Sequence, residues 1–181
     1  GTVEFLDYFA ASDPRIKLVF QEEPNQRSAR NLGADMASGE LLQFFDCDDI
    51  LVAGAYEEII PQMDDTEADV LYFFFDELYN KYHIGSPRYN AYRDYLPTDP
   101  RFKMTDAHKQ FFAQYPFPWA KIFKTSFFKD NSLQFDLDCA NFDDNPQNLR
   151  TLLSSDNIYV LNKAFYKFRI NQKSMTQAIS P

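Results

Sequence analysis

Residues 28–51 read SARNLGADMASGELLQFFDCDDIL, and this stretch decides the fold. Ser28 is predicted to cap a helix that runs to Ser38, because a serine side chain accepts a hydrogen bond from a free N–H of the first helical turn. Gly39 then ends the helix. The apolar residues at 41–45 predict a strand, which places the acidic cluster at 46–49 at the strand's C-terminal end.

The flanking sequence continues this alternation of helix and strand. Apolar residues at helical spacing predict a helix at 3–12, and RIKLVFQ at 15–21 predicts a short strand. Residues 53–63 are predicted to be helical, and DVLYFFFD at 69–76 a buried strand, because its apolar run is nearly continuous. Such alternation is typical of an α/β sheet, in which ligands bind at the C-terminal ends of strands.

The second half of the chain begins irregularly. Residues 80–118 are rich in Tyr, Pro and Arg, with one predicted helix at 106–115, and form either an acceptor-facing insertion or a surface excursion. Regular patterns then return, with predicted strands at 119–124, 157–161 and 164–170 and a helix at 149–155. The length of 181 residues fits one domain spanning 1–181.

Composition narrows the class of protein. The formal net charge of -9 disfavours nonspecific nucleic-acid binding. Lys121, Lys124 and Lys129 are expected to form a local basic patch that would help to bind an anionic substrate. Cys47 and Cys139 match no disulfide framework or zinc spacing, which favours a reducing, cytoplasmic setting. No apolar run approaches the length of a membrane span, so any membrane association is expected to be peripheral.

The acidic cluster has two interpretations. Asp46 and Asp48 are separated by one residue, and both can reach a divalent cation if the backbone turns there. Mg²⁺ and Mn²⁺ prefer oxygen ligands, and Mg²⁺ commonly takes one or two carboxylates while substrate phosphates complete its shell. The alternative is a solvated turn or the N-terminal cap of the following helix.

In residues 28–51, an Ala-Arg-Asn-x-Gly helix, an Ala-x-Gly-Glu turn and an Asp-x-Asp-Asp cluster follow in order. This arrangement resembles the central signature of glycosyltransferase family 2, whose enzymes have the GT-A fold. The resemblance implies a metal-dependent transferase of nucleotide sugars that uses Mn²⁺ or Mg²⁺. It also implies Asp48 as the principal metal ligand, Asp46 as a nucleotide and metal contact, and Asp49 as a supporting group or alternative ligand.

Arg30 lies at the start of the helix in the same signature. Its guanidinium is expected either to bind the donor's phosphates, helped by the helix N-terminus, or to form an ion pair with Glu40 or Asp46. The residues alone leave both interpretations open.

PWAKIFK at 118–124 and the acidic pair at 143–144 resemble the second half of the family signature. The resemblance implies Asp144 as the general base that takes the acceptor's proton; helix capping is the alternative role. Asp143 stands where the family has Glu and is a predicted acceptor contact. Trp119 is predicted either to form the floor of an acceptor sugar subsite or to pack in the core.

The C-terminal region completes the resemblance. Phe168, Arg169 and residues 171–176 are similar to the family's closing Tyr-Arg and Ser-x-Thr segment, which is a mobile lid in some members. A histidine that sometimes binds the metal there has no counterpart in this chain. His83 and His108 lie in the irregular middle and are expected to be surface residues.

The family signature normally begins with a strand, a helix and a second strand, and this sequence starts near the end of that segment. We therefore expect exposed sheet edges and apolar faces, and either a longer protein or a second copy that covers them.

The expectation is thus a mixed GT-A sheet with flanking helices, incomplete at its N-terminus. It is expected to transfer a sugar with inversion from a UDP-sugar to a glycan or lipid-linked acceptor in polysaccharide synthesis, in the cytoplasm or at the inner membrane face. The rival functions are a noncatalytic nucleotide- or glycan-binding module, an inactive fragment, and a nucleotidyltransferase.

Overall fold

The computed structural model describes residues 1–22, 24–79, 82–83, 96–138 and 144–170. The helices in these ranges are α1 (Thr2–Ser12), α2 (Gln26–Met36), α3 (Ala55–Thr66), α4 (Asp106–Phe112), α5 (Thr125–Asp130) and α6 (Asp144–Ser154). The strands are β1 (Leu41–Leu42), β2 (Ile50–Leu51), β3 (Val70–Tyr79), β4 (Tyr82–His83), β5 (Arg101–Lys103), β6 (Lys121–Lys124) and β7 (Ile158–Ile170). A short 3₁₀ helix covers Pro118–Ala120.

The strands form one mixed sheet in the order β1-β6-β3-β7-β2, with β4 paired to β3 and β5 paired to β7. β3 and β7 run parallel, whereas every other described pair is antiparallel. The predicted mixed sheet with flanking helices is therefore confirmed. Its centre is the β3–β7 pair, and β7 also contacts β2, so this strand reaches the loop that carries the acidic cluster.

β3 supplies the middle of the core, as its uninterrupted apolar sequence predicts. Phe73, Phe74 and Phe75 are each at most 1% exposed, so side chains on both faces of the strand are covered. A strand in the interior of a sheet has two buried faces and shows an apolar run instead of alternation. This rigid centre supports the elements that carry the polar side chains of the site.

Two predicted elements differ in the structure. Residues 16–21 have no strand hydrogen bonding, because none of the described strands pairs with them, and a β-strand is stabilised only through its partner. The two strands predicted at 157–161 and 164–170 are one strand, β7. Its pairing with β3 shifts register between Phe73 and Phe75, which accommodates extra residues of β7 without ending the strand.

The N-terminal cap of α2 also differs from the prediction. Asn25 has an extended backbone, and its side chain accepts a hydrogen bond from the backbone N–H of Ser28. Ser28 therefore lies inside the first helical turn as the donor of that bond, and the prediction that it is the cap is wrong. The helix ends at Met36, before Gly39 is reached, because Ala37 adopts an extended backbone.

Large apolar side chains near the N-terminus are exposed. α1 contributes no buried residue, and Phe5 and Tyr8 are 62% and 71% exposed. Phe20, in the segment predicted as a strand, is 61% exposed. Within the described ranges, no helix has the length and apolar character needed to cross a bilayer.

Candidate active site

The acidic cluster forms a turn between β1 and β2. The backbone N–H of Asp49 donates to the carbonyl of Asp46 at 3.1 Å, which closes the turn. β2 follows at once and pairs with β7, with Ile50 opposite Lys167. The turn is therefore held beside the C-terminal part of β7.

Asp49 fastens this turn to β7. Its carboxylate accepts hydrogen bonds from the hydroxyl of Tyr166 and from the backbone N–H of Arg169, each at 2.7 Å, while the Arg169 Nε donates to the carbonyl of Asp48 at 2.7 Å. Burial raises the pKa of Asp49, although these two hydrogen bonds oppose the increase. Asp49 thus has a structural role here, beside the two carboxylates on which the metal prediction rests.

Arg30 joins the two acidic segments that the sequence singled out. Its guanidinium donates to Asp144 Oδ1 at 2.8 Å and to Asp46 Oδ1 at 3.0 Å. The Arg30 side chain is 10% exposed, and the Asp46 and Asp144 side chains are 25% and 33% exposed. The ion pair with Asp46 that the sequence left open is therefore present, and Asp144 forms a second one.

α2 aims Arg30 at these carboxylates. The neighbouring Asn31 exchanges two hydrogen bonds with the backbone of Phe135, at 2.9 and 2.7 Å, and so fixes the helix against residues 133–135. The Phe135 ring in turn lies 5.2 Å from the Arg30 guanidinium carbon. Adjacent residues of the Ala-Arg-Asn signature therefore have different roles. Asn31 anchors the helix, and Arg30 faces the site.

Asp48 is the exposed member of the cluster. No hydrogen bond or ion pair within the described residues engages its carboxylate, in contrast to Asp46 and Asp49. Across the same residues, no group of three or more His, Cys, Asp or Glu side chains could hold a metal ion. The oxygen donors of Asp46 and Asp48 fit a hard cation that takes its other ligands from water and substrate phosphates.

Asp144 is the first residue of α6, the position that the capping alternative also predicts. Its hydrogen bond with Arg30 spans 114 residues of sequence and links it to Asp46 through the same guanidinium. Asp143, the predicted acceptor contact, and residues 171–176 of the predicted lid lie outside the described residues, as does Cys139.

Trp119 packs in the core, the second of its two predicted roles. It is 4% exposed, and its ring stacks on Tyr166 with centroids 4.4 Å apart and on Phe168 with centroids 5.6 Å apart. Tyr166 also donates a hydrogen bond to Asp49, so the aromatic stack supports the acidic turn from the side of the core. A direct contact between Trp119 and an acceptor stays a prediction.

The basic patch predicted from Lys121, Lys124 and Lys129 is wrong. Lys121 is fully buried, because its strand lies inside the sheet. Lys124 donates to the carbonyl of Glu67, and Lys129 donates to the carbonyls of Asp35 and Ala37, so both stabilise backbone ends. The prediction failed because only the apolar neighbours of Lys121 in the sequence indicate that its side chain is buried.

Four residues support the site in roles that the sequence does not predict for them. Tyr166 and Arg169 hold the acidic turn, and Lys121 and Asn148 meet beneath α6 at 2.5 Å. A lysine flanked by apolar residues, as in the sequence AKIF, was the available signal for Lys121. His108 is half-buried and forms a capping box with Thr105 at the start of α4, so its role there is structural.

The sequence model of Glycosyl transferase family 2 matches residues 1–130. The uncharacterized glycosyltransferase EpsJ of Bacillus subtilis (strain 168) is 24% identical over 175 residues, covering 96% of this chain and 50% of EpsJ. Glycosyltransferase GlyA of Streptococcus pneumoniae serotype 4 is 26% identical over 180 residues, covering 96% of this chain and 25% of GlyA. The chain thus spans half the length of the first relative and a quarter of the second.

Solved structures of S. aureus TarS are similar in fold. TarS 1–349 in complex with UDP-GlcNAc gives a TM-score of 0.77 at 19% identity, covering 99% of this chain and 49% of that chain. The complex of TarS 1–349 with UDP gives 0.72 at 21% identity, covering 94% and 48%. At these identities the likeness shows the fold alone, and the predicted GT-A type is confirmed.

Proposed function

The chain belongs to glycosyl transferase family 2, and from this membership we propose that it transfers a sugar, with inversion, from a UDP-sugar to a hydroxyl group of a glycan or lipid-linked acceptor. The donor class is supported by TarS, which was solved with UDP-GlcNAc and with UDP. A role in polysaccharide synthesis at the cytoplasmic side of a membrane belongs to the same proposal.

The observation that carries the proposal is the meeting of Asp46 and Asp144 at Arg30. Transfer to a hydroxyl needs a cationic surface for the leaving diphosphate next to a base for the acceptor's proton. Asp46 and Asp48 belong to the donor side, and Asp144 to the acceptor side. Arg30 has donors enough to hold Asp144 while it contacts a phosphate oxygen.

Asp46 and Asp48 would hold Mn²⁺ or Mg²⁺. When bound, the ion supplies positive charge that stabilises the departing diphosphate. Asp49 contributes indirectly, because its bonds to Tyr166 and Arg169 keep the turn that carries both ligands at the end of β7. Asp144, partly exposed and fixed by Arg30, accepts the proton from the acceptor hydroxyl.

The test is the substitution Asp144→Asn in the purified protein. Transfer, measured as UDP release, is expected to fall by about 100-fold or more, because general-base catalysis contributes roughly 10²–10⁴-fold. Binding of UDP with Mn²⁺, measured by calorimetry, is expected to persist. Asp106→Asn is the matched control, since Asp106 is the first residue of α4 as Asp144 is of α6. Equal turnover in wild type and Asp144→Asn would exclude the role of Asp144 as base.

A noncatalytic module that binds a nucleotide or glycan is the second candidate, because the chain spans half of EpsJ. Calorimetry separates the two functions. UDP binding with no release from any UDP-sugar would favour the module, whereas binding with turnover supports the enzyme.

A further inference from the structure

Lys121 is a fully buried cation beneath the proposed active site. Its Nζ donates to Asn148 Oδ1 at 2.5 Å and lies 4.8 Å from the centre of the Tyr72 ring. No carboxylate among the described residues lies within ion-pair distance of it. A buried charge without a direct counter-ion costs free energy, so its retention calls for a compensating interaction.

Asn148 is held so that only its oxygen faces Lys121. Its Nδ2 donates to the carbonyl of Phe112 at 2.9 Å, and its Oδ1 also accepts from the Tyr72 hydroxyl at 2.8 Å. The amide therefore cannot turn without breaking three hydrogen bonds. Lys121, on β6, is tied through this amide to α6.

Asn148 also connects Lys121 to the proposed base. Residues four apart in a helix lie one turn apart on the same face. Asn148 therefore lies one turn after Asp144, on the same face of α6. The bond from Lys121 to Asn148 therefore fixes the face of α6 that carries Asp144. Asp144 is thus held from two sides, by Arg30 at its carboxylate and by Lys121 through the helix.

Lys121 and Asp144 carry opposite charges. Burial lowers the pKa of Lys121 to about 7, and the negative charge of Asp144 opposes this decrease. The groups that face Lys121 are the Tyr72 ring from β3 and the Asn148 amide from α6. Asp144, one turn before Asn148, is paired with Arg30 from α2.

We propose that Lys121, bound to Asn148 beneath the first turn of α6, is a positioning residue that holds the Asp144 carboxylate in place. The proposal rests on the base role proposed for Asp144. It assigns to Asp144 a second supporting residue, Lys121, whose buried side chain does not touch substrate.

The test compares Lys121→Met with Lys124→Met, a lysine on the same strand that binds the carbonyl of Glu67 instead. Lys121→Met is expected to lower kcat by about 10- to 100-fold, as misplaced catalytic groups do. UDP binding with Mn²⁺ should be unchanged, and Lys124→Met should keep kcat within about twofold. An unchanged kcat, or a parallel loss of UDP binding, would overturn the proposal.

A carboxyl-carbon NMR titration of Asp144 in the wild-type protein, assigned with Asp144→Asn, tests the coupling without turnover or a Lys121 variant. The Asp144 signal is expected to show a second inflection where Lys121 titrates. A single inflection overturns the positioning role, even if the protein transfers sugar. If the second inflection is present and no UDP-sugar is used, the coupling stands and the proposed transferase function fails.

Discussion

Arg30 connects three parts of the chain that are distant in sequence. It lies on α2, and its guanidinium contacts Asp46 in the acidic turn and Asp144 at the start of α6. Because Arg30 is only 10% exposed, its charge has lost most of its water and depends on these two carboxylates. The carboxylates in turn would repel each other without it. One residue therefore determines the distance between the donor and acceptor sides of the proposed site.

Replacing Arg30 by Met should destabilise the protein and impair the site together. The free energy of unfolding is expected to fall by about 1–3 kcal/mol, because two partly buried carboxylates each lose a charged hydrogen-bond donor. Urea unfolding followed by circular dichroism would measure the change. Arg15→Met is the control, since among the described residues Arg15 pairs with Asp13 alone, at the surface, and its loss should leave the urea midpoint unchanged. Indistinguishable urea midpoints for both variants would show that the Arg30 bridge contributes nothing to stability.

At the scale of elements, α2 and β7 bring the polar groups together. α2 is anchored at its start by the Asn25 cap and along its side by Asn31, which binds the backbone of Phe135. β7 pairs with β3 and β2 and ends beside Asp49. The acidic turn thus lies between a capped helix and a strand packed in the core. These two elements hold the turn in place without regular structure in the turn itself.

The cap of α2 can be tested by comparing Asn25→Ala with Ser28→Ala. Asn25→Ala is expected to cost about 1 kcal/mol, because the Ser28 N–H loses its acceptor. Ser28→Ala should be neutral or slightly stabilising, since alanine is the better helix former inside the first turn. Thermal unfolding of both variants would show which substitution destabilises the protein more. If Ser28→Ala were the more damaging change, the sequence-based assignment of the cap would be correct.

At the scale of the whole molecule, the interior of the sheet encloses an ionisable group. The aromatic core around Phe73 to Phe75 excludes water from the centre, and Lys121 lies in this region with Tyr72 and Asn148. In contrast, Phe5, Tyr8 and Phe20 near the N-terminus are exposed.

Burial of Lys121 predicts how global stability depends on pH. Its pKa is about 7 in the folded state against an ordinary 10.5, so between these values the unfolded chain binds the proton more tightly. The free energy of unfolding of the wild type should therefore rise from pH 7 to 9.5, relative to Lys121→Met, by about 1 kcal/mol per pH unit. Urea titrations at several pH values would measure it. Parallel pH curves for the two proteins would show that Lys121 does not titrate in this range.

The local patterns of the sequence predicted much of the fold. The helix before the acidic cluster, the buried strand β3 and the helix after residue 54 follow from local patterns of residue type, which a short stretch of sequence contains. The strand predicted at residues 15–21 failed because strand formation depends on a partner. The basic patch failed because burial of Lys121 depends on which strands flank β6.

The sequence by itself determined the class of fold, the family resemblance and the identity of the acidic residues, because these depend on residue type and spacing. Only the tertiary structure decided that Arg30 joins Asp46 to Asp144, that Asp49 is bound to Tyr166 and that Lys121 lies beneath α6. These contacts span up to 117 residues in the case of Asp49 and Tyr166. They arise from how strands pair and helices pack, which no local pattern encodes.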